Sequence, residues 1–184
     1  MIAFTHARQL VIAACTKMPV ETVPASNALG RILAEDMYSP DNLPGFDNSA
    51  MDGFALIGHG KSFAIGDELV VSGEVAAGDD ATKITGSACE IMTGALVPIG
   101  FDTVVPVENI EILERDINNR PIRIKLLKAV LPFENIRRCG EDVSAGALIV
   151  KAGCCVGTSE RMLFSGLGIA ELKVCSKPNI ALLT

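Results

Sequence analysis

"NIEILERDINNRPIRIKL", residues 109–126, decides the fold class. Ile110 and Ile112 alternate with Glu111, while Ile122, Ile124 and Leu126 alternate with Arg123 and Lys125. A period of two places the apolar side chains on one face of an extended strand and the charges on the other. Asn118-Asn119 lies between the two runs and supplies a turn, so the stretch reads as a hairpin with one wet face. Outward from it, glycines at 58, 60, 66, 73, 78, 86, 94 and 100 interrupt the chain at short intervals, as brief strands and frequent turns require. Residues 60–133 therefore read as β, and the fold class as mostly β, in the α+β sense.

Helices are few. Residues 5–18 read as one: Thr5 caps it, Ala7, Leu10, Val11 and Ala14 recur at helical spacing, and Pro19 follows its end. Ile12 and Ala13 widen its apolar surface, which suits packing on something large. After Gly140, "ALIVKAG" gives a short strand, and Thr158 or Ser159 caps a short helix through "ERMLFS" to Gly166. The last run, "AELKVCSKPNIALLT", stops on apolar residues and reads as the edge of a fragment.

Composition narrows the function classes. In 184 residues, 49% are hydrophobic, enough to bury a core, and the net charge of −6 with scattered basic residues lacks the field that draws nucleic acid. No apolar run reaches the ~20 residues that span a bilayer, and no secretory signal opens the chain. Six cysteines at 15, 89, 139, 154, 155 and 175 show no zinc spacing and read as reduced thiols, mostly buried, of a soluble cytoplasmic protein.

Three stretches gather polar groups beside glycines. "PGFDNSAMDGFAL" (44–56) packs Asp47, Asn48, Ser49 and Asp52 into six positions; Asp47 and Asp52 are hard oxygen donors suited to Mg²⁺, and solvated loop chemistry is the alternative. In "MTGALVP" (92–98), Thr93-Gly94 presents a hydroxyl and backbone N–H groups to an anion, or simply turns the chain. In "NIRRCGEDVSAG" (135–146), Arg137 and Arg138 offer planar donors to phosphate or carboxylate, with Glu141 and Asp142 close by as ion-pair partners. His6 and His59 have no Ser or Cys partner in a recognisable motif, so they read as solvated and no nucleophilic triad is supported. Met51 and Met92, beside the polar stretches, read as packing residues.

These stretches, extended to 27–56, 91–108 and 135–153, resemble MoeA-type molybdopterin molybdenumtransferases, the family that includes the C-terminal domain of gephyrin. The resemblance runs through the chain and weakens at 57–83 and around 109–130. It implies insertion of molybdate into adenylylated molybdopterin with Mg²⁺ and release of AMP. It implies catalytic roles for Asp52, Thr93 and Asp142, substrate contacts at Ser49, Arg137, Arg138 and Glu141, and Mg²⁺ at Asp52. It also implies a homodimer in which an α/β domain, absent here, completes the site on the partner, so that this fragment is inactive alone. The implied architecture is two-lobed and elongated. A helix at 1–19 packs on the absent domain, a lobe of 20–43 with 137–177 links and dimerises, a β-rich domain is inserted at 44–136, and 178–184 open the missing α/β domain. Because gephyrin-like relatives also act as scaffolds, a non-catalytic interaction module is the competing class.

Overall fold

The computed structural model describes residues 2–79, 84 and 86–181. It divides into two compact units, one of Met1–Pro40 with Ala145–Thr184 and one of Asp41–Ser144. In chain order the elements are α1 (Phe4–Ala14), β1 (Val20–Pro24), β2 (Met37–Tyr38), β3 (Asn48–Ser49), β4 (Gly53–Leu56), β5 (Glu68–Val75), β6 (Ala88–Ile91), β7 (Thr103–Pro106), β8 (Ile110–Arg115), β9 (Pro121–Leu126), β10 (Ile136–Arg137), β11 (Leu148–Val150), α2 (Thr158–Gly166) and β12 (Glu171–Cys175).

The Asp41–Ser144 unit is built on a six-stranded sheet of order β7-β4-β6-β5-β9-β8. Its pairs are antiparallel except β5 with β6, where a register shift between Val71 and Glu74 marks a bulge. The hairpin of 109–126 is present as β8 and β9, and Asp116 ties its turn by accepting from the Asn118 and Arg120 N–H groups at 2.8 Å each. The sheet is covered on both faces where β4 and β7 run. Phe54, Leu56, Val105, Ile124 and Leu126 form one core, while Ala55, Cys89, Ile91, Val104 and Phe101 form the other. This explains why "GFAL" and "TVVP" are apolar throughout rather than alternating: every residue of both strands is buried.

Gly53 is dictated by this sandwiching. A Cβ there would lie 1.9 Å from the Val105 carbonyl oxygen, so only glycine lets β4 approach β7 so closely.

The other unit pairs β1 with β12 and β2 with β11, both antiparallel, around Ala28, Leu33, Val156, Phe164, Leu172 and Val174. Arg31, 9% exposed, is buried among them with both of its needs met: its guanidinium donates to the Cys175 carbonyl at 2.7 Å and pairs with Glu21. Phe164 anchors α2 to this core.

Four expectations are corrected. The first helix stops at Ala14 rather than residue 18, because Cys15 is already extended, and Thr5 lies inside its first turn with no capping bond. The second helix is opened not by a Thr158 or Ser159 side chain but by Glu160, which accepts from the Gly157 N–H at 2.8 Å. It ends at Gly166, as expected, and the left-handed turn that closes it comes at Gly168: Gly168 has φ +67°, its N–H reaches the Ser165 carbonyl and the Ile169 N–H that of Phe164, a Schellman ending. The unit boundary falls at 41 and 144 instead of 44 and 136, because Leu43 pairs with Val143 and β3 with β10. The cysteines are all free, but only Cys89 is buried, with its thiol pushed up to about 12 by desolvation, while Cys15, Cys139 and Cys155 are exposed.

α1 buries none of its residues, and Phe4, Leu10, Val11 and Ile12 are exposed. Residues 176–181 carry no helix or strand, and the rest of the segment expected to open a further domain lies outside the described residues. No helix among the described residues is long and apolar enough to cross a membrane.

Candidate functional site

The short strand β3 joins the three polar stretches. On one side it pairs with β10, Ser49 opposite Ile136 and Asn48 opposite Arg137. On the other it takes up the "MTGALVP" segment: the Gly94 N–H donates to the Ser49 carbonyl at 2.8 Å, the Ser49 N–H to that of Ala95 at 3.0 Å, and the Val97 N–H to that of Asp47 at 3.0 Å. Residues separated by up to about ninety positions in sequence thus become lateral neighbours through backbone bonds alone.

Asp52 follows β3 and immediately precedes β4. Its Oδ1 accepts from both the Thr93 N–H (2.7 Å) and the Thr93 hydroxyl (2.8 Å), which hold the carboxyl below its ordinary 3.8, the N–H contributing most. No hydrogen bond falls on Oδ2 among the described residues, so this ionised group keeps one oxygen for a ligand. Asp52 lines a cavity of about 190 Å³ with Phe54, Glu90, Ile91, Met92 and Val107. Met92 is 38% and Met51 40% exposed, so neither is the packing residue it resembles in sequence.

The second cluster lies at the β10 end. Arg137 pairs with Asp142, which raises the guanidinium pKa. Arg138 donates to Asp47 Oδ2 at 2.6 Å and lies 5.3 Å above the Phe133 ring, while Asp47 Oδ1 accepts the Cys139 N–H at 2.7 Å. The Cys139 N–H is the strongest influence on Asp47, which is held below 3.8 despite partial burial. Glu141 closes the turn by accepting the Arg138 N–H at 2.8 Å. Asp47 is therefore engaged by Arg138 rather than left as an open oxygen donor. Ser49, 1% exposed, is likewise turned inward, its hydroxyl donating to the Met51 carbonyl at 2.6 Å.

Two residues escaped the sequence reading. Glu90, facing the Asp52 cavity, is pushed up by burial and then by Glu74, its neighbour across β5 and β6. Its signal was parity: with Ala88 it shares the side of a strand that otherwise points into a core. Burial alone would raise the Asp102 carboxyl, but the Gly60 and Gly58 N–H groups at 2.7 and 2.8 Å, joined by the Thr103 hydroxyl and the nearby His59, hold it below 3.8. The glycine-flanked loop around His59 signalled a need for such an acceptor. His6 and His59 are exposed, as expected.

A family model of the MoeA N-terminal region (domain I and II) matches residues 2–168. The chain belongs to the MoeA family. The match covers both units of the fold and all three stretches joined by β3. Among curated MoeA relatives, the molybdopterin molybdenumtransferase of Synechococcus elongatus is 34% identical over 192 residues, covering 100% of this chain and 46% of that protein. Molybdopterin molybdenumtransferase 2 of Mycobacterium tuberculosis is 36% identical over 168 residues, covering 89% of this chain and 40% of that protein. The crystal structure of the molybdopterin biosynthesis moeA protein from Pyrococcus horikoshii OT3 superposes with a TM-score of 0.82 at 30% identity over 97% of this chain and 47% of that one. The chain thus spans less than half the length of these MoeA relatives.

Proposed function

We propose that this chain is the N-terminal part of a molybdopterin molybdenumtransferase, which inserts molybdate into adenylylated molybdopterin and releases AMP. One observation carries the reading: β3 assembles the three family stretches so that Thr93 fixes Asp52 as an ionised carboxylate at the mouth of a cavity. The remaining wall of the site, on this reading, belongs to the family's α/β domain in a dimer mate. The protein works as a cytoplasmic homodimer, with the Met1–Pro40 and Ala145–Thr184 unit as linking lobe and α1 packed on the α/β domain.

Both substrates are anions, so the reaction needs positive charge and fixed donors where they meet. The donor set fits Mg²⁺ in a limited way: Asp52 Oδ2 is a hard oxygen, but no group of three His, Cys, Asp or Glu able to hold a metal occurs among the described residues. Mg²⁺ is satisfied by one or two carboxylates with water and substrate phosphate completing its shell. When bound, the ion supplies charge neutralisation between the two anions. Thr93 keeps Asp52 ionised and aimed. Arg137 and Arg138 donate to anionic oxygens by exchanging their present carboxylate partners, while Asp142 and Glu141 hold the arginines in register until substrate arrives. Ser49 contributes by shaping the loop ahead of Asp52.

The test is AMP release by the full-length protein supplied with Mg²⁺, molybdate and adenylylated molybdopterin. The transferase reading expects molybdate-dependent AMP release that Asp52→Ala abolishes. No release would leave the scaffold class in its place, and release indifferent to Asp52→Ala would remove Asp52 from the catalytic residues.

A further inference from the structure

Between β9 and β10 the backbone enters the left-handed region at two residues that are not glycine, Phe133 (φ +67°) and Asn135 (φ +57°). Asparagine tolerates this conformation and phenylalanine does not, so the surrounding bonds must hold it. They are numerous. The Phe133 N–H donates to the fully buried Thr103 hydroxyl at 3.2 Å, the Val104 N–H donates to the Glu134 carbonyl at 3.0 Å, and the Leu131 N–H donates to Glu134 Oε2 at 3.2 Å. The Phe133 ring also carries the Arg138 guanidinium.

Asn135 stands at the end of this clasp and bonds in two directions. Its Nδ2 donates to the Val104 carbonyl of β7 at 2.9 Å, and its own carbonyl accepts the Ala50 N–H at 2.9 Å. Ala50 lies between Ser49, the last residue of β3, and Met51, to which Ser49 is bonded, and Asp52 follows. A side-chain bond to the sheet thus fixes the left-handed turn that presents a backbone acceptor to the loop carrying Asp52.

We propose that Asn135 is a positioning residue for the Asp52–Thr93 pair, acting through Ala50. This rests on the reading of Asp52 and Thr93 as working residues, but it makes a separate claim. Without the Nδ2 bond, the 131–135 clasp keeps its Phe133–Thr103 and Glu134–Val104 bonds to β7 but loses the one that orients Asn135, so the carbonyl that Ala50 donates to is no longer fixed and the approach of Asp52 to Thr93 is no longer constrained. Asn135 touches neither Asp52 nor Thr93, so a purely structural role would leave the Thr93 N–H as protected as before.

The experiment measures solvent exchange of individual amides in wild type, Asn135→Ala and Asn135→Asp. The aspartate variant keeps the shape and the left-handed tolerance but removes the donor, and it serves if the alanine variant fails to fold. The proposal expects exchange at Thr93 to rise about tenfold, as for local loss of one hydrogen bond, with Ile91 and Phe54 amides in the sheet unchanged. Faster exchange at Ala50 alone, with Thr93 still protected, would overturn it and leave the transferase reading standing. AMP release absent in the wild-type full-length protein would defeat the transferase reading without touching the exchange result. In an active enzyme, both variants lower kcat while the KM for molybdate stays put.

Discussion

Replacing Gly53 by alanine tests how tightly the Asp52 site is built into the sheet. The added Cβ would meet the Val105 carbonyl oxygen at 1.9 Å, the Val105 carbonyl carbon at 2.8 Å and Pro106 Cα at 2.9 Å, all backbone. None of these is the end of a flexible side chain, so β4 and β7 themselves must part. Reaching ordinary contact from 1.9 Å requires a separation of about 1.5 Å, enough to break roughly two ladder bonds. At about 1 kcal/mol per bond, plus about 1–3 kcal/mol for overpacking, Gly53→Ala costs about 3–5 kcal/mol. That is a large share of the ~5–15 kcal/mol by which such domains are stable. Urea unfolding at 25 °C, compared with wild type, reads the loss directly. Gly166→Ala is the control: no atom lies within 4 Å of its added Cβ and it ends a helix, so it leaves stability unchanged or raises it by up to about 1 kcal/mol. A Gly53→Ala loss below about 1 kcal/mol would refute the reasoning, because it would mean that the two strands separate at little cost.

Other outcomes follow from the same contacts. Asp102→Ala leaves the Gly58 and Gly60 N–H groups without their acceptor and costs about 1–3 kcal/mol in urea unfolding; a change within error would mean that water replaces the carboxylate freely. In pH-dependent unfolding, Asp47, Asp52 and Asp102, held below 3.8 in the fold, contribute stability that is complete above that value and is lost as pH falls through their depressed values. Glu90 has the opposite sign: raised above 4.5, it lowers stability as pH climbs from 4.5 through its folded value, and Glu90→Gln removes that limb alone. An upper limb that persists in Glu90→Gln would belong to another group. Mg²⁺ titrated into the chain shifts amides between 47 and 53 only weakly, with midpoints on the order of millimolar, since the ion's remaining ligands are water or substrate; tight micromolar saturation would show that the loop alone completes a metal site.

The parts of the fold visible in the sequence are those fixed by local pattern. The 109–126 hairpin was legible because one of its faces is wet, which leaves a period of two. β4 and β7 left no such mark, since burial on both faces erases the alternation. The first helix stops short where Cys15 turns extended, which no letter marks, whereas the second ends at Gly166 where the sequence places it and is closed by the left-handed turn at Gly168. At the site, the residue types were legible but their partners were not. Asp47 reads as a metal ligand until Arg138, ninety-one positions away, is found to occupy it. Asn135 could be suspected only as one of the few residues at ease with positive φ, and its bond to Val104 depends on a sheet that the local sequence does not announce.

The most direct measurement is a double-mutant cycle on AMP release by the full-length protein, comparing Asp52→Ala, Thr93→Ala and the double variant. On the proposed reading Thr93 serves the reaction by holding Asp52 through its hydroxyl, so the account expects strong coupling: the double variant is no slower than Asp52→Ala alone. Losses that add in free energy would show that the two residues act independently, and would contradict the claim that β3 assembles them into one working unit.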